Sequence, residues 1–216
     1  MEASEQLVFV VLDGLDASGK STQGMVLYRR LTRNGKTVFL RIHPSEDNLF
    51  GLKAREFLLS NSTNAHFSSA IFYMFDVMRS ILLYSWRKYD CVIFVRYLIG
   101  TAYLPYPLDK ITYHFFALIV PSSDYMFFLD VFPQEANRRI RETRSASTLE
   151  MFENLENLKR IRIRALSLVS TEKWKIINGN NSMEHVEEDI AEKLSTPLQM
   201  HPRLREQDKN QCAARK

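Results

Sequence analysis

Eight residues constrain this chain more than any others: Gly14-Leu-Asp-Ala-Ser-Gly-Lys-Ser21. They match GxxxxGK[ST] at every fixed position. They follow the apolar run Leu7–Leu12 and precede a stretch of helical spacing, the strand–turn–helix context in which such a loop wraps a phosphate chain. Gly14 and Gly19 let the backbone curl so that successive N–H groups point inward. Asp16, Ala17 and Ser18 complete the turn, and a helix starting near Lys20 adds its positive end. Lys20 supplies a mobile charge for the β- and γ-phosphates, the Ser21 hydroxyl a ligand for Mg²⁺, and Thr22 a contact to the α-phosphate. ATP with Mg²⁺ is the expected ligand.

The rest of the chain alternates strand and helix. Leu7–Leu12 is a continuous apolar run, as in a strand covered on both faces, and Thr37–Ile42, Cys91–Val95, Tyr125–Asp130 and Trp174–Ile177 read as further strands. Helices are expected over Leu49–Leu59, Ala65–Lys88, Pro133–Glu142, Leu149–Thr171 and Met183–Leu194. Ile111–Val120 fits a helix, although so short an apolar run also fits a strand. The pattern predicts an α/β fold of the P-loop type: five parallel strands with helices on both faces, and ligands at the carboxyl ends of the strands. Residues 1–196 are expected to form one domain.

Charge and composition exclude several classes. Of the net charge of +4, the segment His201–Lys216 carries +3, with five bases against two acids. Residues 1–200 are therefore nearly neutral, which argues against a nucleic-acid groove and for a disordered basic tail over 197–216. No stretch of about twenty apolar residues suggests a membrane span. Cys91 and Cys212 make no disulfide framework, and the cytoplasm is the expected compartment. The partner is expected to be a small nucleotide substrate, and a homodimer is left open.

Leu12-Asp-Gly-Leu-Asp-Ala-Ser-Gly-Lys-Ser-Thr-Gln23 resembles the thymidylate kinase pattern [FI]-E-G-x-D-G-x-G-K-S-T-Q. The segment Asp124–Ile140, with Leu129-Asp-Val-Phe-Pro-Gln-Glu-Ala136 at its centre, resembles that family's P-D-L-x-x-x-L-D-V-x-P-E-E-A-x-x-R-I. The resemblance covers about residues 6–194 and implies that residues 1–196 are a kinase domain with a short lid near 141–150. It implies a nucleoside monophosphate kinase, with dTMP to dTDP the named reaction. It implies that Asp16 approaches the acceptor's sugar hydroxyl, that Arg96 binds phosphate, and that Gly179–Ser182 lies near the adenine. Ala17 supplies no arginine from the loop, so Arg139, Arg141 and Arg144 of the lid are the candidates to close on the transferring group.

Three departures cluster on the acceptor side. Val95-Arg96-Tyr97 replaces the family's Asp-Arg, leaving Asp13 to take the magnesium-side role. Phe72-Tyr-Met-Phe-Asp76 replaces F-Y-x-x-R, reversing the charge that meets thymine; a carboxylate there favours a ring with an amino group. Arg41-Ile-His-Pro44 replaces R-x-P with one residue inserted. Arg41, Phe72, Asp76, Asp16 and Arg96 are the expected acceptor-side residues; Lys20, Arg96, Arg141, Arg144 and Asp13 are the expected catalytic ones. Two alternatives stay open: a kinase of an unphosphorylated alcohol, with Asp13 as base, and a nucleotide-binding protein without useful turnover.

Overall fold

The computed structural model describes residues 7–59, 65–83, 89–143, 154–170 and 173–195. Five strands pair in parallel: β1 (Val8–Gly14), β2 (Val38–Ile42), β3 (Cys91–Val95), β4 (Tyr125–Asp130) and β5 (Trp174–Asn178), in the order β2-β3-β1-β4-β5. Between and after them run α1 (Lys20–Arg33), α2 (Leu49–Leu58), α3 (Ala65–Leu83), a 3₁₀ helix (Ile99–Tyr103), α4 (Leu108–Ile119), α5 (Pro133–Thr143), α6 (Leu155–Val169) and α7 (Met183–Ser195).

β1 from Val8 to Leu12, β3, and β4 from Tyr125 to Leu129 are apolar at every position because both faces are covered, whereas the edge strands β2 and β5 also carry Arg41 and Lys175. Phe9, Val11, Val92, Phe94, Met126, Phe128 and Trp174 meet Tyr73 and Val77 of α3, Phe116 of α4, Ile140 of α5 and Leu158 of α6. Alternate residues, Val10, Leu12, Ile93, Val95, Phe127, Leu129 and Ile177, meet Leu27 of α1 and Val186 and Ile190 of α7. This is the two-residue period of a strand read against two layers.

The ambiguous run after the third strand is a helix: α4 buries Phe116 and leaves Ile111 and Leu118 outside. The 3₁₀ helix carries no apolar periodicity and was not legible in the sequence. Residues 84–88, Arg144, the lid beyond Thr143, and the tail over 197–216 lie outside the described residues. Among the described residues no helix is long and apolar enough to cross a membrane.

The register positions the site. Leu12 and Ile42 both lie opposite Val95. The pairing continues one step past the strands, with His43 N–H donating to Val95 O (3.0 Å) and Arg96 N–H to Leu12 O (2.9 Å). Asp13, His43 and Arg96 thereby meet on one rim.

Candidate active site

The donor loop is built for a polyanion. Gly19 sits at φ 90°, a conformation that side chains disfavour. A Cβ on Gly14 would lie 2.6 Å from the Leu129 carbonyl oxygen, so only glycine fits there. Ser18 N–H closes the turn on Leu15 O (3.1 Å), while the buried Ser18 Oγ has no hydrogen-bond partner among the described residues. No side chain caps α1, whose first-turn N–H groups remain for a ligand. Ser21 and Thr22 expose their side chains on that turn, and Ala17 holds φ 57° above it. These donors fit phosphate oxygens. Lys20, 3% exposed, rests its Nζ on Leu15 O at 2.6 Å and lies 3.7 Å from Asp16.

Asp16 is the hub between this loop and a second pocket. Its Oδ1 accepts from Arg96 Nη2 at 2.5 Å and its Oδ2 from Tyr103 O–H at 2.7 Å. Burial alone would raise its pKa, but Arg96, Lys20 and the Tyr103 hydroxyl overcome that and hold the carboxyl well below the usual range. Arg96 itself stands at φ 65°, roughly 1–2 kcal/mol above an ordinary conformation for an L-residue. Its backbone strain is offset by what surrounds it, a common mark of functional positions.

Asp13 does not take the magnesium-side place expected of it. Its carboxylate is buried and accepts from the backbone N–H groups of Gly14 (3.1 Å), Tyr97 (2.9 Å) and Ile99 (3.0 Å). Burial raises its pKa against those bonds and Lys20. The two backbone donors after Arg96 need an acceptor, and Asp13 supplies it, fixing the 3₁₀ helix to the end of β1.

The second pocket is a small cleft with a volume of about 50 Å³. Asp16 and Arg96 form its polar end with Tyr103 and Gly100 of the 3₁₀ helix; Pro44, Ala54 and Leu58 of α2, and Ser69, Ala70 and Tyr73 of α3 line the rest. Of the expected acceptor residues only Asp16 and Arg96 lie there. Phe72 stacks on Phe57 at the α2–α3 contact, ring centroids 5.6 Å apart. Arg41 forms a two-point ion pair with Asp47 (2.6 and 2.8 Å). Tyr73, Ser69 and Tyr103 were missed by sequence reasoning; the small pair Ser69-Ala70, one turn before Tyr73, is the signal that marks this face.

Asp76 is likewise corrected. It faces neither the pocket nor Arg79, which instead lies 3.8 Å from Asp47. Fully buried, Asp76 accepts from Ser45 N–H (2.6 Å), Ser45 Oγ (2.5 Å) and Asn48 Nδ2 (2.7 Å). Asn48 in turn caps α2 through Phe50 N–H and Gly51 N–H. The acid therefore anchors the segment that the inserted residue lengthens, and the objection to thymine falls away. Asp76→Ala strands two or more buried donors and is expected to destabilise the protein by about 3 kcal/mol. Asp76→Asn should leave the preference between thymidylate and cytidylate unchanged. Urea denaturation and paired rate measurements test both; a changed base preference would return Asp76 to the pocket.

On the far side of the loop, Arg139 donates to Ala17 O (3.3 Å) and Gly179 O (3.1 Å) while Glu135 accepts from its Nε (2.7 Å). It thus ties the phosphate loop to the turn after β5. Arg141 is exposed on the last turn of α5.

The sequence model of the family described as thymidylate kinase matches residues 12–190. The chain belongs to the thymidylate kinase family. Among curated members, the probable thymidylate kinase of Pyrococcus abyssi is 31% identical over 197 residues, covering 85% of this chain and 93% of that protein. The thymidylate kinase of Thermosipho melanesiensis is 26% identical over 202 residues, covering 88% and 99%. The solved thymidylate kinase of Candida albicans shares the fold, with a TM-score of 0.66 at 18% identity over 87% of this chain and 90% of that one. Thymidylate kinases are phosphotransferases that act on nucleotides with ATP as donor.

Proposed function

We propose that this chain is an ATP-dependent nucleoside monophosphate kinase that carries dTMP to dTDP. The observation that carries the reading is Asp16, whose carboxylate joins the donor-side Lys20 to the acceptor-side Arg96. Phosphoryl transfer of this kind needs little covalent help from a protein; it needs alignment and compensation of charge. In this reading the backbone N–H groups of Gly14–Ser21 hold the β- and γ-phosphates, and Lys20 swings from Leu15 O and Asp16 onto them. Ser21 would supply a hydroxyl to hold Mg²⁺, which when bound would neutralise charge on the phosphates. Arg96 takes the acceptor's phosphate at the mouth of the second pocket, where Tyr73 and the small Ser69-Ala70 surface receive its ring. Asp16 and Tyr103 face the sugar. Arg141, with Arg144, is positioned in sequence to close over the transferring group. A homodimer in the cytoplasm is the setting we attach to this activity; the apolar face of α4, with Ile111 60% and Leu118 85% exposed, is consistent with a covered surface.

An unphosphorylated alcohol is less well served. Asp13, the base that reaction would use, has its carboxylate committed to three backbone donors. A panel of dTMP, dCMP and thymidine with Mg·ATP tests the choice, read as ADP release. Phosphorylation of dTMP and none of thymidine is expected; the reverse order would replace this reading with the alcohol kinase.

A further inference from the structure

In the segment Arg41-Ile-His-Pro44, His43 is fully buried beside Arg96. The two residues hold each other twice. His43 Nδ1 lies 3.0 Å from the Arg96 carbonyl oxygen, and Arg96 Nη1 donates to the His43 carbonyl oxygen at 3.2 Å. The other ring nitrogen, Nε2, lies 3.0 Å from Ser80 Oγ, which also accepts from Arg41 Nε at 3.2 Å.

These partners fix the tautomer. A carbonyl oxygen only accepts, so Nδ1 carries the hydrogen. The Ser80 oxygen takes its bond from Arg41 and gives its own hydrogen to Nε2, so each hydrogen is used once. Burial holds the imidazole pKa down to about 4, with Arg41 acting in the same direction and Asp76 against it, so the ring is neutral at physiological pH. Phe94 and Tyr73 meet the ring edge to face, with centroids 5.0 and 6.4 Å away, and leave it one orientation.

We propose that His43 is a positioning residue for Arg96, its ring holding the backbone carbonyl of a strained residue while its own backbone carbonyl receives the guanidinium, with the Arg96 carbonyl fixing the ring's tautomer and Ser80 holding the other ring nitrogen. The proposal rests on the reading that Arg96 binds the acceptor's phosphate. Through His43, Ser80 of α3, a neighbour of the pocket wall, is joined to the acceptor-side cation by a ring that touches no substrate.

His43→Leu removes the ring donor, His43→Asn retains an amide N–H near the Nδ1 position, and Ser80→Ala releases Nε2. For His43→Leu, kcat/KM for dTMP is expected to fall about 10²-fold while the KM for ATP moves by less than about twofold. His43→Asn should recover most of that loss, and Ser80→Ala should show a smaller loss of the same kind. In the wild-type protein, ¹⁵N NMR should show hydrogen on Nδ1 and none on Nε2 at neutral pH. Wild-type constants in folded His43→Leu, an equal loss for ATP and dTMP, no recovery in His43→Asn, or hydrogen on Nε2 would each overturn the proposal. If His43→Leu does not fold, the tautomer and the Ser80→Ala and His43→Asn constants decide. Arg96→Ala separates the two levels: if it leaves the dTMP constants unchanged, the reading of Arg96 itself fails. If it impairs them while His43→Leu does not, only the role of His43 fails.

Discussion

Lys20→Ala should lower dTMP-dependent ADP formation about 10²–10³-fold, the loss seen when one preorganised charge facing a reacting group is removed. The lysine is nearly inaccessible in the resting chain, bonded to Leu15 O and close to Asp16. It must leave those two partners to meet the phosphates, and Asp16 and Leu15 O hold it beside the loop until it does. The fold should survive, because Asp16 keeps the bonds from Arg96 and Tyr103. The measurement is steady-state turnover together with the rise in melting temperature that Mg·ATP produces. That rise should shrink in Lys20→Ala. Unchanged turnover and an unchanged ATP-induced shift would remove the phosphate loop from the mechanism.

Arg96→Ala should reduce kcat/KM for dTMP by about 10³-fold, comparable to the loss of an arginine that neutralises a phosphoryl group. The guanidinium is the cation at the polar end of the acceptor pocket. Its removal also takes a partner from the buried Asp16 carboxylate, so part of the effect will appear as an upward pKa shift of that acid. Arg96→Lys should recover little, since an ammonium cannot address both Asp16 and the His43 carbonyl with the fork that a guanidinium presents. The ATP KM should rise far less than the dTMP constants change, by the part of the effect that passes through Asp16 to Lys20. A fall confined to ATP would move Arg96 to the donor side.

The donor site was legible because its chemistry is local. Eight contiguous residues offer backbone N–H groups, and the flanking strand and helix follow from plain periodicity. The sheet was legible for a related reason: a strand covered on both faces has to be apolar throughout, as Leu7–Leu12 and Cys91–Val95 are. The acceptor pocket was not. It gathers residues from the phosphate loop, Pro44, α2, α3 and the 3₁₀ helix, and its composition depends on the rotation of α3. Choosing Phe72 and Asp76 places the wrong face inward; Ser69 and Tyr73 are the pair four residues apart that point there. Asp76 was misread because its partners, Ser45 and Asn48, belong to a segment lengthened by an insertion, and no pattern of α3 alone announces them. Asp13 was misread for a similar reason. The backbone donors of Tyr97 and Ile99 reach it only once β3 lies beside β1.

The shared carboxylate of Asp16 has a thermodynamic consequence. Lys20 and Arg96 both compensate it, so a ligand that draws Lys20 onto its own phosphates shifts more of that compensation to Arg96. Arg96 is then harder to lend to a second anion. Occupancy of one side is thereby linked to affinity on the other, and linkage is reciprocal: by whatever factor bound ATP changes the dissociation constant of dTMP, bound dTMP changes that of ATP by the same factor. Through Asp16 alone the sign is antagonistic, so that two substrates which must sit together for transfer each loosen the other's hold before it occurs.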